Sequence, residues 1–279
     1  MAHQANQLHC VAKTLHHAGQ FDPHTIVNGQ TTSPLIDQAT AIQFQRFVDI
    51  RSNFGFGIAL STDTTSSSFI GQLAFPLANG AGWGGFSLND DMEGPLLLAA
   101  WSDGQRNVIS SFRQASNERD NPPEVTGAFS LRPISEATSV NETFLTFTFL
   151  CEGCLDTATG LAANAVAAKL GWALANTAVE NSSASGGILG FHNAGFGDFR
   201  LNVTGARSSE FEIWAALAGE PVSASAGARQ FDVAGILSDT DGENTDSDDD
   251  NFGCGGGGGA GGGFDTDFDA DFDSDTDDD

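Results

Sequence analysis

The sequence predicts an all-β protein, an antiparallel β-sandwich with disordered segments at both ends. Between residues 31 and 237, short alternating runs of apolar and polar residues are separated by turn residues, which is the pattern of a sandwich. Residues 1–30 show no convincing strand or amphipathic pattern, and residues 238–279 are rich in Gly and Asp. We therefore expect a disordered start at 1–30, one folded domain at 31–237 and a disordered acidic tail at 238–279.

The run from Phe144 to Cys151 gives the clearest strand. Its odd-numbered residues, from Leu145 to Cys151, are all apolar and fall on one face of the strand. The other face mixes Phe144 and Leu150 with two threonines, so both faces are partly apolar. We expect this run to be a central strand of a sheet.

Other segments follow the same reasoning. Residues 98–102 and 107–112 flank Asp103-Gly104, a dipeptide that predicts a tight hairpin turn. The alternation from 199 to 203 places Asn202 on the solvent face of a strand. Residues 161–170 are rich in alanine, so a short helix remains open there, although 170–175 favours a strand. A closing helical turn is expected at 210–217.

The charge balance excludes two classes of partner. The chain has 37 acidic and 11 basic residues, a formal net charge of −26, which opposes binding to nucleic acid or to an anionic membrane surface. The tail alone contributes −16, from fifteen Asp and one Glu without a basic residue. No run approaches the roughly 20 apolar residues that a membrane-spanning helix needs, so we expect no membrane span. We expect a monomer.

The sequence leaves two interpretations of the cellular compartment open. Residues 1–30 lack the apolar core of a secretory signal, so the protein is either cytosolic or a secreted domain whose start is truncated or misplaced. Three glycosylation sequons begin at Asn141, Asn181 and Asn202, and Cys151 lies close to Cys154 in a spacing that can be oxidised outside the cell. These features favour a secreted protein.

Two rare residues are the candidate functional groups. Five of the six His lie in the first 24 residues and Met1 starts the chain, which leaves His192 and Met92 in the body. No nucleophile elbow accompanies His192, and Gly55-Phe-Gly57 lacks the third glycine of a dinucleotide fingerprint. The sequence therefore contains no hydrolase or dinucleotide-binding framework, and composition alone assigns these two residues no role.

Several motifs in one order resemble a known family. They are Phe69-Ile-Gly-Gln-Leu-Ala-Phe-Pro-Leu, Gly82-Trp-Gly-Gly-Phe-Ser-Leu ahead of Met92, Leu96 to Trp101, Ser111-Phe-Arg113, Cys151-Glu-Gly-Cys154, Leu170-Gly-Trp-Ala and His192-Asn-Ala-Gly-Phe-Gly-Asp-Phe199. From about Ser33 to Gly219 the chain resembles the cytochrome domain of fungal cellobiose dehydrogenases. The resemblance implies an immunoglobulin-like antiparallel β-sandwich of the DOMON type that binds one haem b non-covalently.

The resemblance also implies site residues. The family's axial haem ligands, one Met and one His, fall on Met92 and His192, and its disulfide falls on Cys151 and Cys154. In a reducing compartment those two cysteines would instead be free thiols. The chain has no Cys-x-x-Cys-His motif, which argues against covalent attachment of haem.

By resemblance, the protein is an extracellular cytochrome of lignocellulose degradation that transfers single electrons. The implied donor is a flavin-dependent dehydrogenase or a small reductant, and the implied acceptor is a copper polysaccharide monooxygenase or ferric iron. A Met/His-ligated haem has no open position, so we expect an electron carrier, at most ferric-reductase-like, rather than a catalyst. The acidic body predicts a partner with a basic docking patch.

Two alternatives remain open. The first is a haem-free DOMON-type module that binds carbohydrate through tryptophans, with these candidates: Trp83, Trp101, Trp172 and Trp214. The second is a structural secreted protein in which the polyanionic tail is the working part. Retention of haem after removal of 238–279 would separate a cytochrome from the second alternative.

One segment departs from the family pattern. Asn89-Asp90-Asp91 precede Met92 where the family usually has a Gly-Gly pair. Asn and Asp tolerate a left-handed backbone better than most residues, so we expect them to preserve the turn. Two carboxylates beside an iron ligand would stabilise the ferric state, so we expect a lower midpoint potential than in relatives with Gly there.

Overall fold

The structure is a computed structural model that describes residues 31–233. The segments expected to be disordered, 1–30 and 238–279, and the domain boundary at 237 lie outside the described residues. Fifteen strands are described, and they are, in chain order, β1 (Ser33–Ile36), β2 (Gln43–Asp49), β3 (Phe54–Ser61), β4 (Phe69–Pro76), β5 (Trp83–Ser87), β6 (Leu97–Ser102), β7 (Val108–Arg113), β8 (Val125–Thr126), β9 (Ser130–Pro133), β10 (Ser139–Val140), β11 (Phe144–Glu152), β12 (Ala168–Ala175), β13 (Gly195–Leu201), β14 (Arg207–Ser208) and β15 (Arg229–Gln230).

The strands form two main sheets. One sheet has the order β1-β2-β3-β4-β11-β10, with β9 added along β11 and β14 added in parallel to β3. The other has the order β13-β12-β5-β6-β7, and all of its pairings are antiparallel. A short parallel pair joins β8 to β15.

Aromatic side chains from the two sheets meet in a common core. Phe56 of β3 stacks on Phe86 of β5 with ring centroids 4.1 Å apart, and Phe47 of β2 stacks on Phe199 of β13 at 4.3 Å. All four rings are buried, so their area contributes to stability through the hydrophobic effect and through stacking. The predicted all-β sandwich is confirmed.

The central strand and the hairpin are confirmed, with one correction. β11 pairs with β4 on one side and with β9 and β10 on the other, and its odd-numbered face enters the core. The connection between β6 and β7 is longer than the tight turn that Asp103-Gly104 predicts. Residues 103–107 form the connection, because the Asp103 carboxylate accepts bonds from the backbone N–H groups of Gln105 and Asn107 and so closes a wider loop.

The alanine-rich segment forms no helix. β12 begins at Ala168, within that segment, and directs Leu170 and Trp172 into the core, so burial of alternate side chains outweighs alanine's helix propensity.

The expected helical turn at 210–217 is confirmed as α1 (Phe211–Ala215). Asn202 is exposed as expected, but it lies just after the end of β13. Within residues 31–233, no helix is long and apolar enough to cross a membrane.

Candidate functional site

A row of small residues forms the floor of the main cavity. In the five-stranded sheet, Ala173 of β12 lies opposite Gly85 of β5, which lies opposite Ala99 of β6. Side chains alternate between the faces of a strand, and Phe86 and Trp172 point into the core. The small residues therefore face outward, where they line a cavity of about 570 Å³.

Three loops form the walls of this cavity. They are residues 90–92 between β5 and β6, residues 118–122 after β7, and residues 189–192 before β13. Met92 and His192 are both half-buried and both line the cavity. The structure therefore brings together the two residues that the sequence singled out.

Side-chain oxygens that accept backbone hydrogen bonds shape the Met92 loop. Asn89 Oδ1 accepts a hydrogen bond from the Asp91 N–H at 2.8 Å, and Asp91 Oδ1 accepts one from the Glu93 N–H at 3.0 Å. These Asx-type bonds turn the chain at 89–91 without positive φ angles, so the left-handed backbone that Asn and Asp tolerate is not used there. The left-handed residue lies later, at Gly94, with φ of 91°.

Charges around the cavity are mostly exposed and acidic. Asp90, Asp91, Glu118 and Asp120 are exposed and line the cavity, and Arg119 is the exposed cation among them. Outside the cavity, Lys169 Nζ pairs with Asp90 at 3.0 Å and with Asp198 at 3.3 Å. The carboxyl groups of Asp90 and Asp198 hold the pKa of Lys169 above its ordinary value.

The loop that carries His192 is held by indole donors from the floor. Trp83 Nε1 donates to the Gly190 carbonyl at 3.0 Å, and Trp101 Nε1 donates to the Ser182 carbonyl at 2.8 Å. Both tryptophans are on the outer face of the five-stranded sheet, one on β5 and one on β6. Burying an indole without a partner is costly, so these bonds stabilise the loop on the sheet.

Two further side chains hold the same loop. Asn121 Oδ1 accepts a bond from the Leu189 N–H at 2.8 Å, and Arg113 donates to the carbonyls of Ser185 and Gly187. Sequence reasoning missed Asn121 and quoted Arg113 only as part of a motif. No local signal identifies them, because their partners lie far away along the chain.

The environment of His192 favours a neutral imidazole. Phe191 and Phe196 pack on the ring with centroids 4.3 and 4.6 Å away, and Trp83 lies edge-on at 6.5 Å. The Nδ1 atom is buried and has no hydrogen-bond partner among the described residues. Burial lowers the pKa of His192 from its ordinary value of 6.5, because the charged form loses its hydration.

Arg113 is the only buried charged side chain among the described residues that line the cavity. It is 1% exposed, and burial lowers the pKa of its guanidinium to about 10, so the group stays charged at neutral pH. Its Cζ atom lies 5.7 Å from the centre of the Trp101 ring, within range of a cation–π contact.

The remaining predicted site residues lie away from the cavity. Cys151 and Cys154 form a disulfide in the sandwich core, which confirms the pairing implied by the resemblance. The three sequon asparagines, Asn141, Asn181 and Asn202, are exposed.

The burial of the tryptophans bears on the carbohydrate alternative. Trp83, Trp101, Trp172 and Trp214 are each at most 7% exposed. None of them therefore presents the open ring face that stacking on a sugar requires, and the alternative loses the residues on which it depended.

Comparison with known proteins identifies the family of this domain. Residues 35–213 match the family model described as the cytochrome domain of cellobiose dehydrogenase. Among solved structures, the cytochrome domain of Myriococcum thermophilum cellobiose dehydrogenase is 27% identical with a TM-score of 0.62, covering 69% of this chain and 98% of that chain. The cytochrome b domain of pyranose dehydrogenase from Coprinopsis cinerea shares the fold, at 21% identity and a TM-score of 0.59, covering 70% and 100%.

The lowered pKa of His192 makes stability depend on pH. In protein prepared without haem, the unfolded state takes up a proton near pH 6.5 that the folded state resists, so the free energy of unfolding falls as pH drops below 6.5. Imidazole NMR titration, with His192→Gln to assign the resonance, should give a folded-state pKa below 6.5. Denaturant unfolding should show a smaller loss of stability on acidification in His192→Gln. A pKa at or above 6.5 would contradict this reading.

Proposed function

Because the chain belongs to the family of cellobiose dehydrogenase cytochrome domains, we propose that it is a b-type cytochrome that transfers single electrons. Haem b would be held non-covalently, with Met92 and His192 as the axial ligands of the iron. One observation supports this most directly: the only Met and the only His within residues 31–233 line the same cavity. Two residues of these types would rarely meet there by chance.

The cavity has the chemistry of a cofactor site. Its volume lies in the range of small-molecule sites, roughly 300–1,000 Å³, and the small residues of its floor leave room for a planar ring. The neutral imidazole of His192 keeps a lone pair available, which a protonated ring would lose. Bound haem would supply one-electron exchange, and Met92 and His192 would hold its iron.

The protein's own residues would limit rearrangement during electron transfer. The indole bonds from Trp83 and Trp101 hold the His192 loop, and Gln114 Nε2 donates to the Gly94 carbonyl at 2.7 Å beside the Met92 loop. A thioether ligand favours the reduced state. With both loops anchored and no position left for substrate, the site suits electron transfer better than catalysis.

The partners follow from the family and the surface charge. We propose a flavin-dependent dehydrogenase or a small reductant as donor, and a copper polysaccharide monooxygenase or ferric iron as acceptor, with the cytochrome acting as a monomer. The acidic residues at the cavity would favour partners that present a positive surface.

We propose that the protein works outside the cell. The three sequon asparagines, Asn141, Asn181 and Asn202, are exposed and open to glycosylation, and the Cys151–Cys154 disulfide is the form expected in an oxidising compartment.

Removing either proposed ligand should change the haem spectrum. After haem supplementation, the wild type should show sharp α and β bands on reduction with dithionite, and Met92→Ala and His192→Ala should weaken or shift them. A chain ending at residue 237 is the control and should keep the wild-type spectrum, since the tail supplies no ligand. A wild type that stays colourless with haem would refute the cytochrome.

Neutralising the carboxylates beside Met92 should raise the midpoint potential. Asp90→Asn/Asp91→Asn removes two negative charges that would stabilise ferric iron, and asparagine retains the Oδ1 acceptor used by the Glu93 N–H. Spectroelectrochemical titration measures the potential, with the exposed Glu220→Gln, away from the cavity, as control. An unchanged or lower potential would reject the proposed role of these carboxylates.

Salt should affect cationic and anionic redox partners in opposite ways. Reduced protein should be oxidised by the cationic tris(phenanthroline)cobalt(III) more slowly as ionic strength rises, and by the anionic ferricyanide more rapidly, because salt screens the acidic surface. Stopped-flow rates over a series of salt concentrations provide the measurement. Rates independent of salt for both oxidants would count against docking guided by charge.

A further inference from the structure

The Arg113 guanidinium holds three parts of the cavity wall together. Its Nε donates to Ser111 Oγ at 2.8 Å on its own strand, and its Nη1 donates to the Pro122 carbonyl at 3.0 Å. Its Nη2 donates to the carbonyls of Ser185 and Gly187 at 2.6 and 2.8 Å. Four of its five N–H groups are therefore used, and three of them join β7 to two loops.

The fifth N–H group has no acceptor among the described residues, and the positive charge is compensated only in part. The second hydrogen on Nη1 has no acceptor within residues 31–233, and the side chain is 1% exposed and lines the cavity. Backbone carbonyls satisfy donors but carry no net charge, so they compensate a buried cation only in part.

No protein carboxylate neutralises this cation at close range. Within the described part of the chain, no carboxylate oxygen lies within 4.0 Å of the Arg113 nitrogens, whereas Arg132 and Lys169 both have such partners. The nearby acidic residue Glu124 acts on Arg113 only at longer range, and its carboxylate accepts hydrogen bonds from the backbone N–H and hydroxyl of Ser225.

We propose that Arg113 binds an anionic carboxylate of the molecule in the cavity, through the free Nη1 N–H and its only partly compensated charge. This inference rests on the proposed function, because haem b carries two propionate carboxylates on one edge of its ring. A guanidinium that is already fixed by four bonds loses little conformational entropy when it binds a fifth acceptor. Arg113 would thus help to orient the bound molecule in the cavity.

A ligand without carboxylates provides the test. Haem b and its dimethyl ester have the same ring and iron, but the ester lacks the two negative charges. Affinities of both are measured by absorbance titration for the wild type, Arg113→Met, Arg113→Lys and the matched control Arg106→Met. Arg106 is exposed and lies outside the cavity, so its removal takes away one positive charge without changing the cavity lining.

The wild type should bind haem b at least about tenfold more tightly than the ester, which is the usual size of a charge-assisted hydrogen bond. Arg113→Met should bind the two ligands within about twofold of each other, Arg113→Lys should keep part of the preference, and Arg106→Met should keep nearly all of it. If Arg113 only holds the loops, Arg113→Met should instead weaken the binding of both ligands equally.

The outcomes separate this inference from the proposed function. If the wild type binds haem b and the ester equally well, or if Arg113→Met keeps the preference, Arg113 is not the carboxylate anchor, while haem binding still supports the cytochrome. If the wild type binds neither ligand, both the cytochrome and the anchor are refuted. Should Arg113→Met fail to fold by circular dichroism, the wild-type and Arg113→Lys affinities still decide the matter.

Discussion

Alternation of side chains along β5, β6 and β12 is the constraint on which both the core and the cavity depend. One face of these strands carries large apolar groups such as Phe86 and Trp172, which meet the opposite sheet. The other face carries Ala173, Gly85 and Ala99 side by side. A shift of one residue in register would move the small residues into the core and the large ones onto the floor. Fold stability and the shape of the cavity are therefore determined by the same backbone hydrogen bonds.

The cavity walls are irregular loops, yet their backbone groups are satisfied by donors from the sheet beneath them. Trp83, Trp101 and Arg113 donate from β5, β6 and β7 to carbonyls of the segment that leads to His192. A rigid sheet thus positions a loop that has almost no regular structure of its own. This arrangement suits a redox site, because atoms that stay in place during electron gain and loss add little to the reorganisation that slows transfer.

The exposed and the buried charges of the cavity suit two different roles, encounter with a partner and recognition of a bound group. The exposed carboxylates around the cavity act at long range and are screened by salt, so they suit encounter with a partner. The buried guanidinium of Arg113 acts at short range in a medium of low polarity, so it suits recognition of a bound group. The acidic balance of the whole chain therefore does not describe the interior of the cavity.

The fold class, the central strand and the two candidate ligands were determined by the sequence itself. Alternation is a local pattern, and one Met and one His in the body needed no coordinates to be noticed. The turn types at 89–91 and 103–107 were not determined by the local sequence pattern. Hydrogen bonds accepted by the side chains of Asn89 and Asp103 set the backbone conformation there. Only the tertiary structure brought Met92 and His192 to one cavity and joined Arg113 to carbonyls 72 and 74 residues away. Contacts over such separations depend on how the sheets and loops come together, which local patterns do not encode.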